Sequence, residues 1–178
     1  TRFYDRKEIK DILAYLKVIV NPQDDISIKR IINVPKRSIG DATVAKVQDF
    51  AESFELNMWD ALSEVRSIPT LTKRNVTCIE PFVQLMDNLM ELSETTPVSM
   101  LIETILEDTG YMDALKKSNE IEDKSRIENL KELVSDAVEF EKSSEDKSLS
   151  AYLEKVSLVQ DTDKMEEEDD AVVLMTVH

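Results

Sequence analysis

The stretch DRKEIKDILAYLKVIV, residues 5–20, decides the class of the fold. Ile9, Ile12, Leu13, Leu16, Ile19 and Val20 recur at spacings of three and four with lysines and acids between them, which is the period of an amphipathic helix and not the alternation of a strand. Asn21-Pro22 ends this helix. Asp24 or Asp25 caps a second one lined by Ile28, Ile31 and Ile32, and that helix must stop before Pro35. A short basic turn follows, Pro35-Lys36-Arg37-Ser38-Ile39-Gly40, and leads through Asp41-Ala42-Thr43 into a third helix carrying Val44, Val47, Phe50, Ala51 and Phe54. The order of helix, tight turn and helix is helix-hairpin-helix-like.

The helical period continues along the chain. Met58, Trp59, Leu62 and Val65 predict a short helix, residues 67–74 with Pro69 a loop, and residues up to Leu92 an apolar segment in which Pro81 implies a break or a helix start. Pro97 suits the first turn of a helix buried on Val98, Leu101, Ile102, Ile105 and Leu106, and Gly110 suits its left-handed end. A longer helix is expected over residues 124–142 on Ile127, Leu130, Leu133, Val134, Ala137 and Val138, then a last one on Leu149, Tyr152, Leu153, Val156 and Leu158. The expected class is therefore mainly α. The end of the chain departs from it: after the acidic residues 161–170, six of the eight residues 171–178 are apolar with valines clustered, which predicts a strand buried on both faces. Residues 1–4 are the one other candidate strand. Such strands need sheet neighbours, so the sheet is expected to belong to residues outside this chain.

A length of 178 residues suits one domain, and 42% hydrophobic with 33% charged residues and two glycines suits helices with a buried and a wet face. No run of about 18 apolar residues and no signal-peptide pattern is present, so a soluble, cytoplasmic protein with no membrane partner is expected. Cys78, the single cysteine, sits in a helical apolar pattern and is expected as a small core residue. The net charge of −15 opposes nucleic-acid binding on average, but it is unevenly spread. Residues 1–50 hold ten Lys/Arg against seven Asp/Glu, and the rest hold twelve against thirty, so an anion-binding face belongs near the start.

Three segments carry a family resemblance. Phe3-Tyr4-Asp5-Arg6-Lys7-Glu8-Ile9-Lys10-Asp11, continuing to Asn21-Pro22, resembles the passage from subdomain 2A into 2B in UvrD/PcrA-type superfamily 1 DNA helicases. Arg30-Ile31-Ile32-Asn33-Val34-Pro35-Lys36-Arg37-Ser38-Ile39-Gly40 resembles the family's stretch ending in Gly-Ile-Gly, with Ser38 at the first glycine, and residues 172–178 resemble the start of helicase motif V. The resemblance implies a division into residues 1–20, the exit from 2A with the first helix; 21–160, the helical 2B subdomain; 161–170, an acidic linker; and 171–178, a strand of the RecA-like 2A sheet. It implies an accessory, regulatory duplex-binding piece of an ATP-dependent 3′ to 5′ helicase of repair or replication, with ATP and Mg bound by the parent and no cofactor in this piece. The remaining helicase subdomains would be partners. No G-x-x-x-x-G-K-[ST] phosphate loop occurs, so the piece itself is not expected to be catalytic.

The basic turn is the candidate site on physical grounds as well. A glycine directly before a helix lets a phosphate approach free backbone amides at the positive end of the helix dipole. Lys36, Arg37 and Lys46 add charge, Thr43 offers a hydroxyl, and Ser38, Ile39 and Gly40 supply the turn itself. The plain alternative is an interhelical turn capped by Asp41 with solvated lysines. From the resemblance, Arg6 and His178 are candidate single-strand contacts in the parent, against ion pairing for Arg6. No His/Cys cluster has metal-ligand spacing, and Glu166-Glu167-Glu168-Asp169-Asp170 is a solvated acidic run before it is a calcium site. Trp59, Phe50 and Phe54 at helical spacing are core before they are a base-stacking platform. A rival role for the whole is an acidic helical protein-interaction module that regulates the helicase.

Overall fold

A computed structural model describes residues 2–176, with side-chain environments through Leu174. Its helices are α1 (Lys7–Val20), α2 (Asp25–Ile31), α3 (Asp41–Ser53), α4 (Met58–Ser63), α5 (Lys73–Ser93), α6 (Val98–Asp108), α7 (Tyr111–Lys117), α8 (Ile121–Ser143) and α9 (Leu149–Thr176), with short 3-10 turns at Phe3–Asp5 and Val65–Ser67. The mainly helical class expected from the periodicity is what the described residues adopt.

Helix α1 is the axis of the packing. Helices α2, α5, α6, α8 and α9 all lie against it, so it is buried on most of its circumference and not on one stripe. That arrangement encloses two carboxylates, Glu8 at 3% and Asp11 at 2% exposure, and burial of an ion is tolerated only when it is paired. Asp11 accepts from Lys7 Nζ at 3.2 Å, Arg30 Nε at 2.9 Å and the Tyr111 hydroxyl at 2.7 Å. Glu8 accepts from Asn129 Nδ2 at 3.1 Å and lies 3.8 Å from Arg126 Nε. These bonds fasten α2, α7 and α8 to the axis.

Several boundaries follow the expected chemistry. Asp24 caps α2 by accepting from the Ser27 amide at 3.1 Å. Gly110 has φ 78°, the left-handed conformation, and joins α6 to α7. Cys78 is half-buried against the core. Phe50 and Trp59 pack on the core too, but Phe54 is exposed and touches Phe50 with ring centroids 4.7 Å apart.

Three expectations need correction. Pro81 neither breaks nor starts a helix but lies inside α5, which begins at a capping box made by Thr72 and Asn75. Pro81 and Thr77 are both exposed, so the Thr77 carbonyl that loses its amide donor is on the solvent side of α5. Phe3–Asp5 is a 3-10 turn where a first strand was expected, and Thr1 lies outside the described residues. Residues 161–176, expected as a linker and then a strand, continue helix α9, while Val177 and His178 lie outside the described residues. Among the described residues there is no strand to pair with, and a helix satisfies the backbone donors and acceptors locally. The acidic stretch also has a partner in Arg2, whose guanidinium reaches Asp163, Glu166 and Glu167 at 3.1 to 4.0 Å.

Candidate nucleic-acid interface

The turn between α2 and α3 is built from inside. Helix α2 ends at Ile31, and of the carbonyls just past its last full turn that of Ile31 accepts from the Val34 amide at 3.0 Å. Arg37 gathers the carbonyls of the turn: its Nη1 donates to those of Ile31 at 2.7 Å, Ile32 at 3.2 Å and Val34 at 3.3 Å, and its Nη2 donates to the Tyr15 hydroxyl. The guanidinium lies 5.1 Å from the Phe82 ring centroid and 5.8 Å from that of Tyr15, within cation–π range of both. A cation at the negative end of a helix is favourable in its own right. Burial pushes the Tyr15 phenol above its ordinary pKa, against the lowering influence of Arg37.

Asn33 closes the loop from the other side. Its Oδ1 accepts from the amides of Arg37 at 2.6 Å and Ile39 at 3.2 Å, and Ile39, 1% exposed, is driven into the core. The Val34–Pro35 peptide is cis, and Ser38 has φ 61°. Gly40 is the N-cap of α3 with φ −80° and ψ 173°, ordinary extended backbone. A Cβ added there would meet nothing within 4 Å. The amides of Gly40, Asp41 and Ala42 have no intrahelical acceptor, and all three residues are exposed.

The predicted site residues therefore divide into two groups. Arg37 and Ile39 point inward and hold the turn; Lys36, Ser38 and Gly40 are exposed on it, and Lys46 is half-buried further along α3. Neither Lys36 nor Lys46 has an ion-pair partner among the described residues. Lys36 also lines a cleft of about 290 Å³ with Lys7, Tyr111, Asp123 and Arg126. Thr43 Oγ1 accepts from Asn75 Nδ2 at 3.4 Å, which brings the start of α5 beside the start of α3. Arg6 is elsewhere, donating to Asn129 Oδ1 at 2.6 Å with its guanidinium 5.5 Å from the Phe3 ring centroid, and it pairs with no acid among the described residues. His178 lies outside the described residues.

Sequence reasoning missed Asn33, Tyr15 and Phe82 as the residues that shape the turn. Asn33 had a local signal, an amide side chain just before a proline turn. Tyr15 and Phe82 had none, since they come from α1 and α5.

Over residues 1–178 the chain matches the family described as UvrD-like helicase C-terminal domain. It is 43% identical over 179 residues to the ATP-dependent DNA helicase PcrA of Staphylococcus epidermidis, a match covering 99% of this chain and 24% of that protein. It is 40% identical over 184 residues to the ATP-dependent DNA helicase PcrA of Bacillus subtilis, covering 100% of this chain and 25% of that protein. The PcrA of Staphylococcus aureus is 40% identical over 179 residues. The chain thus spans about a quarter of the length of these relatives.

Proposed function

This chain belongs to the UvrD-like helicase C-terminal domain family, and from that premise we propose that it is the 2B subdomain of an ATP-dependent 3′ to 5′ DNA helicase, an accessory part that grips duplex DNA by its phosphate backbone. The observation that carries this reading is Gly40. Its backbone angles and packing leave room for a side chain, so beyond serving as an N-cap the glycine leaves the start of α3 open to close approach from outside. What stands open there is a set of exposed amides at a helix start with Lys36 beside them, a fit for a phosphate and not for a base edge. Backbone contact without base reading suits an enzyme that must accept any sequence in repair or replication. In the bacterial relatives' setting such a protein works in the cytoplasm.

The motor chemistry belongs to other segments of the parent. Two glycines, at 40 and 110, do not make a phosphate loop, so in this reading ATP and Mg are bound by other segments of the parent. Its role in this reading is regulatory, through duplex contact.

The test is fluorescence anisotropy of a labelled duplex of arbitrary sequence, titrated with this chain at several salt concentrations. Gly40→Ala is expected to lose about 1 kcal/mol of stability, because alanine is a poorer helix N-cap than glycine, and to stay folded while losing several-fold in affinity. Lys36→Glu is expected to weaken binding and flatten its salt dependence. Unchanged affinity in both variants would sink the reading.

A second reading has its own observation, a groove of about 580 Å³ between α6, α7 and α8. It is lined by the apolar Leu106, Met112, Leu130 and Val134 and by the charged Glu103, Glu107, Asp113, Lys116 and Lys131. Apolar residues flanked by charges of both signs fit the amphipathic helix of a protein partner. Met112→Glu would abolish such an interaction while leaving duplex affinity alone; loss of duplex affinity instead would count against it.

A further inference from the structure

The groove between α6, α7 and α8 carries an uneven set of charges. Two of its charged residues are neutralised on their own helices: Asp113 pairs with Lys117 at 2.8 Å, and Lys131 with Glu128 at 3.4 Å. Glu103 and Glu107 are exposed, and neither has an ion-pair or side-chain hydrogen-bond partner among the described residues. They stand four apart on α6, so both belong to one face, roughly 6 Å apart along the axis. Lys116 on α7 is the one groove cation left unpaired among the described residues, and it does not balance the two acids. Met100, 56% exposed, lies one turn before Glu103 on the same face of α6 and adds an adaptable apolar surface there. Helices α6 and α8 run antiparallel, since Ser99 bonds Glu141 while Leu106 shares the groove with Leu130. From Met100 to Glu107 the face rises roughly 10 Å, about two turns of a docked helix.

We propose that this groove takes a basic amphipathic helix of a partner protein, its apolar stripe on Leu106, Met112 and Val134 and two Lys or Arg one turn apart on Glu103 and Glu107. This rests on the reading of the groove as a protein-docking surface and names the partner's chemistry. Two unpaired carboxylates one turn apart match cations at i and i+4 of a helix lying along α6. The same carboxylates disfavour the other occupants: a second copy of this chain brings a net charge of −15, and a phosphate backbone is repelled as well. Helix α6 does not need them. Glu107 sits in its last turn, at the negative end of the dipole, where an acid opposes the helix.

The test uses two fluorescein-labelled amphipathic peptides about four turns long, with the same leucine stripe. Beside the stripe a pair at i and i+4 is lysine in one peptide and glutamate in the other. Each is titrated by anisotropy with this chain at about 150 mM NaCl, where loose charge attraction is largely screened. The lysine peptide is expected to bind at least about tenfold tighter than the glutamate peptide. Met112→Gln, which removes apolar surface without adding charge, is expected to weaken it several-fold. Glu103→Lys with Glu107→Lys, made together, is expected to reverse the preference and to melt no lower than the parent, since cations suit the end of α6. The control is Asp49→Lys with Glu52→Lys on α3, which packs against α4; it changes net charge equally and is expected to leave the preference as it was. Equal binding of both peptides, weakened in both by Met112→Gln, would overturn the basic partner and leave the docking surface. A preference that survives the Glu103/Glu107 exchange, or that shifts as far in the control, would also overturn it, since total charge would then explain the binding. No binding of either peptide would remove the docking surface itself.

Discussion

At Ser38 the backbone turns through φ 61°, a conformation that costs a side-chain-bearing residue roughly 1 to 2 kcal/mol relative to glycine. Ser38→Gly relieves that strain and loosens the unfolded chain by a smaller amount, so a net gain of about 0.5 to 1 kcal/mol is expected in urea unfolding. The serine therefore stands at a position shaped for glycine while leaving the turn intact. Arg37 is the opposite case. It resembled Lys36 in the sequence, two adjacent cations on a loop, and nothing local told them apart. The difference comes from the carbonyls at the end of α2 and from Tyr15 and Phe82, which converge on one side of the turn only after the chain has folded. Arg37→Met keeps the apolar packing but removes the donor that draws the Ile31, Ile32 and Val34 carbonyls together, and is expected to cost about 1 to 3 kcal/mol in the same assay. A charge reversal at Arg37 would consequently unfold the turn, so any loss of duplex affinity in it would say nothing about contact. Lys36 is the residue that tests contact.

At the scale of elements, helical periodicity carried most of the architecture. Helices α1, α3, α6 and α8 lie where apolar residues recur at three and four, and Asp24 and Gly110 stand at their helix boundaries as their chemistry requires. Helix α7 was not legible, because seven residues with Tyr111 as the one buried side chain give no period to read. The run at 171–176 was misread for a related reason: a short apolar run has no period either, and strand or helix is then settled by whether neighbouring strands exist. Pro81 was misread because a proline inside a helix is costly but not prohibitive where solvent replaces the lost bond. That cost is measurable. Pro81→Ala restores a donor to the Thr77 carbonyl on an exposed face of α5, so stability should rise, by an amount below the roughly 3 kcal/mol separating proline from alanine in a helix interior. Circular dichroism melts would check it, and a lowered melting temperature would mean that the packing of α5 depends on the bend.

Across the whole molecule, the four tyrosines tie segments that are far apart in sequence. The hydroxyls of Tyr4 and Tyr152 both donate to Asp136 Oδ2, at 2.7 and 2.8 Å, joining the start of the chain and α9 to α8. Tyr111 donates to Asp11, joining α7 to α1, and Tyr15 donates to the Val34 carbonyl, joining α1 to the candidate DNA-binding turn. All four rings are buried, and burial is the leading cause that raises each phenol above its ordinary pKa, with the carboxylate of Asp136 or Asp11 adding to it. The sign of the pH effect follows. A group whose folded pKa is raised keeps its stabilising contribution below the unfolded value, about 10 for tyrosine, and loses it as pH climbs past that value toward the folded one. In that window the unfolded chain has released protons that the folded chain retains, at about 1.4 kcal/mol per pH unit for each tyrosine. Urea unfolding at pH 8, 9, 10 and 11 should therefore give constant stability to about pH 9.5 and then a steep fall, with phenolate absorbance appearing only as the protein unfolds. Tyr152→Phe removes one of the four, so its stability should fall less steeply above pH 10 even though it starts lower at pH 8. Phenolate signal from all four tyrosines at pH 11 in a chain that still melts cooperatively would show that the ties do not hold their protons, and that the anchoring of α9 and the turn to the core rests on apolar packing alone.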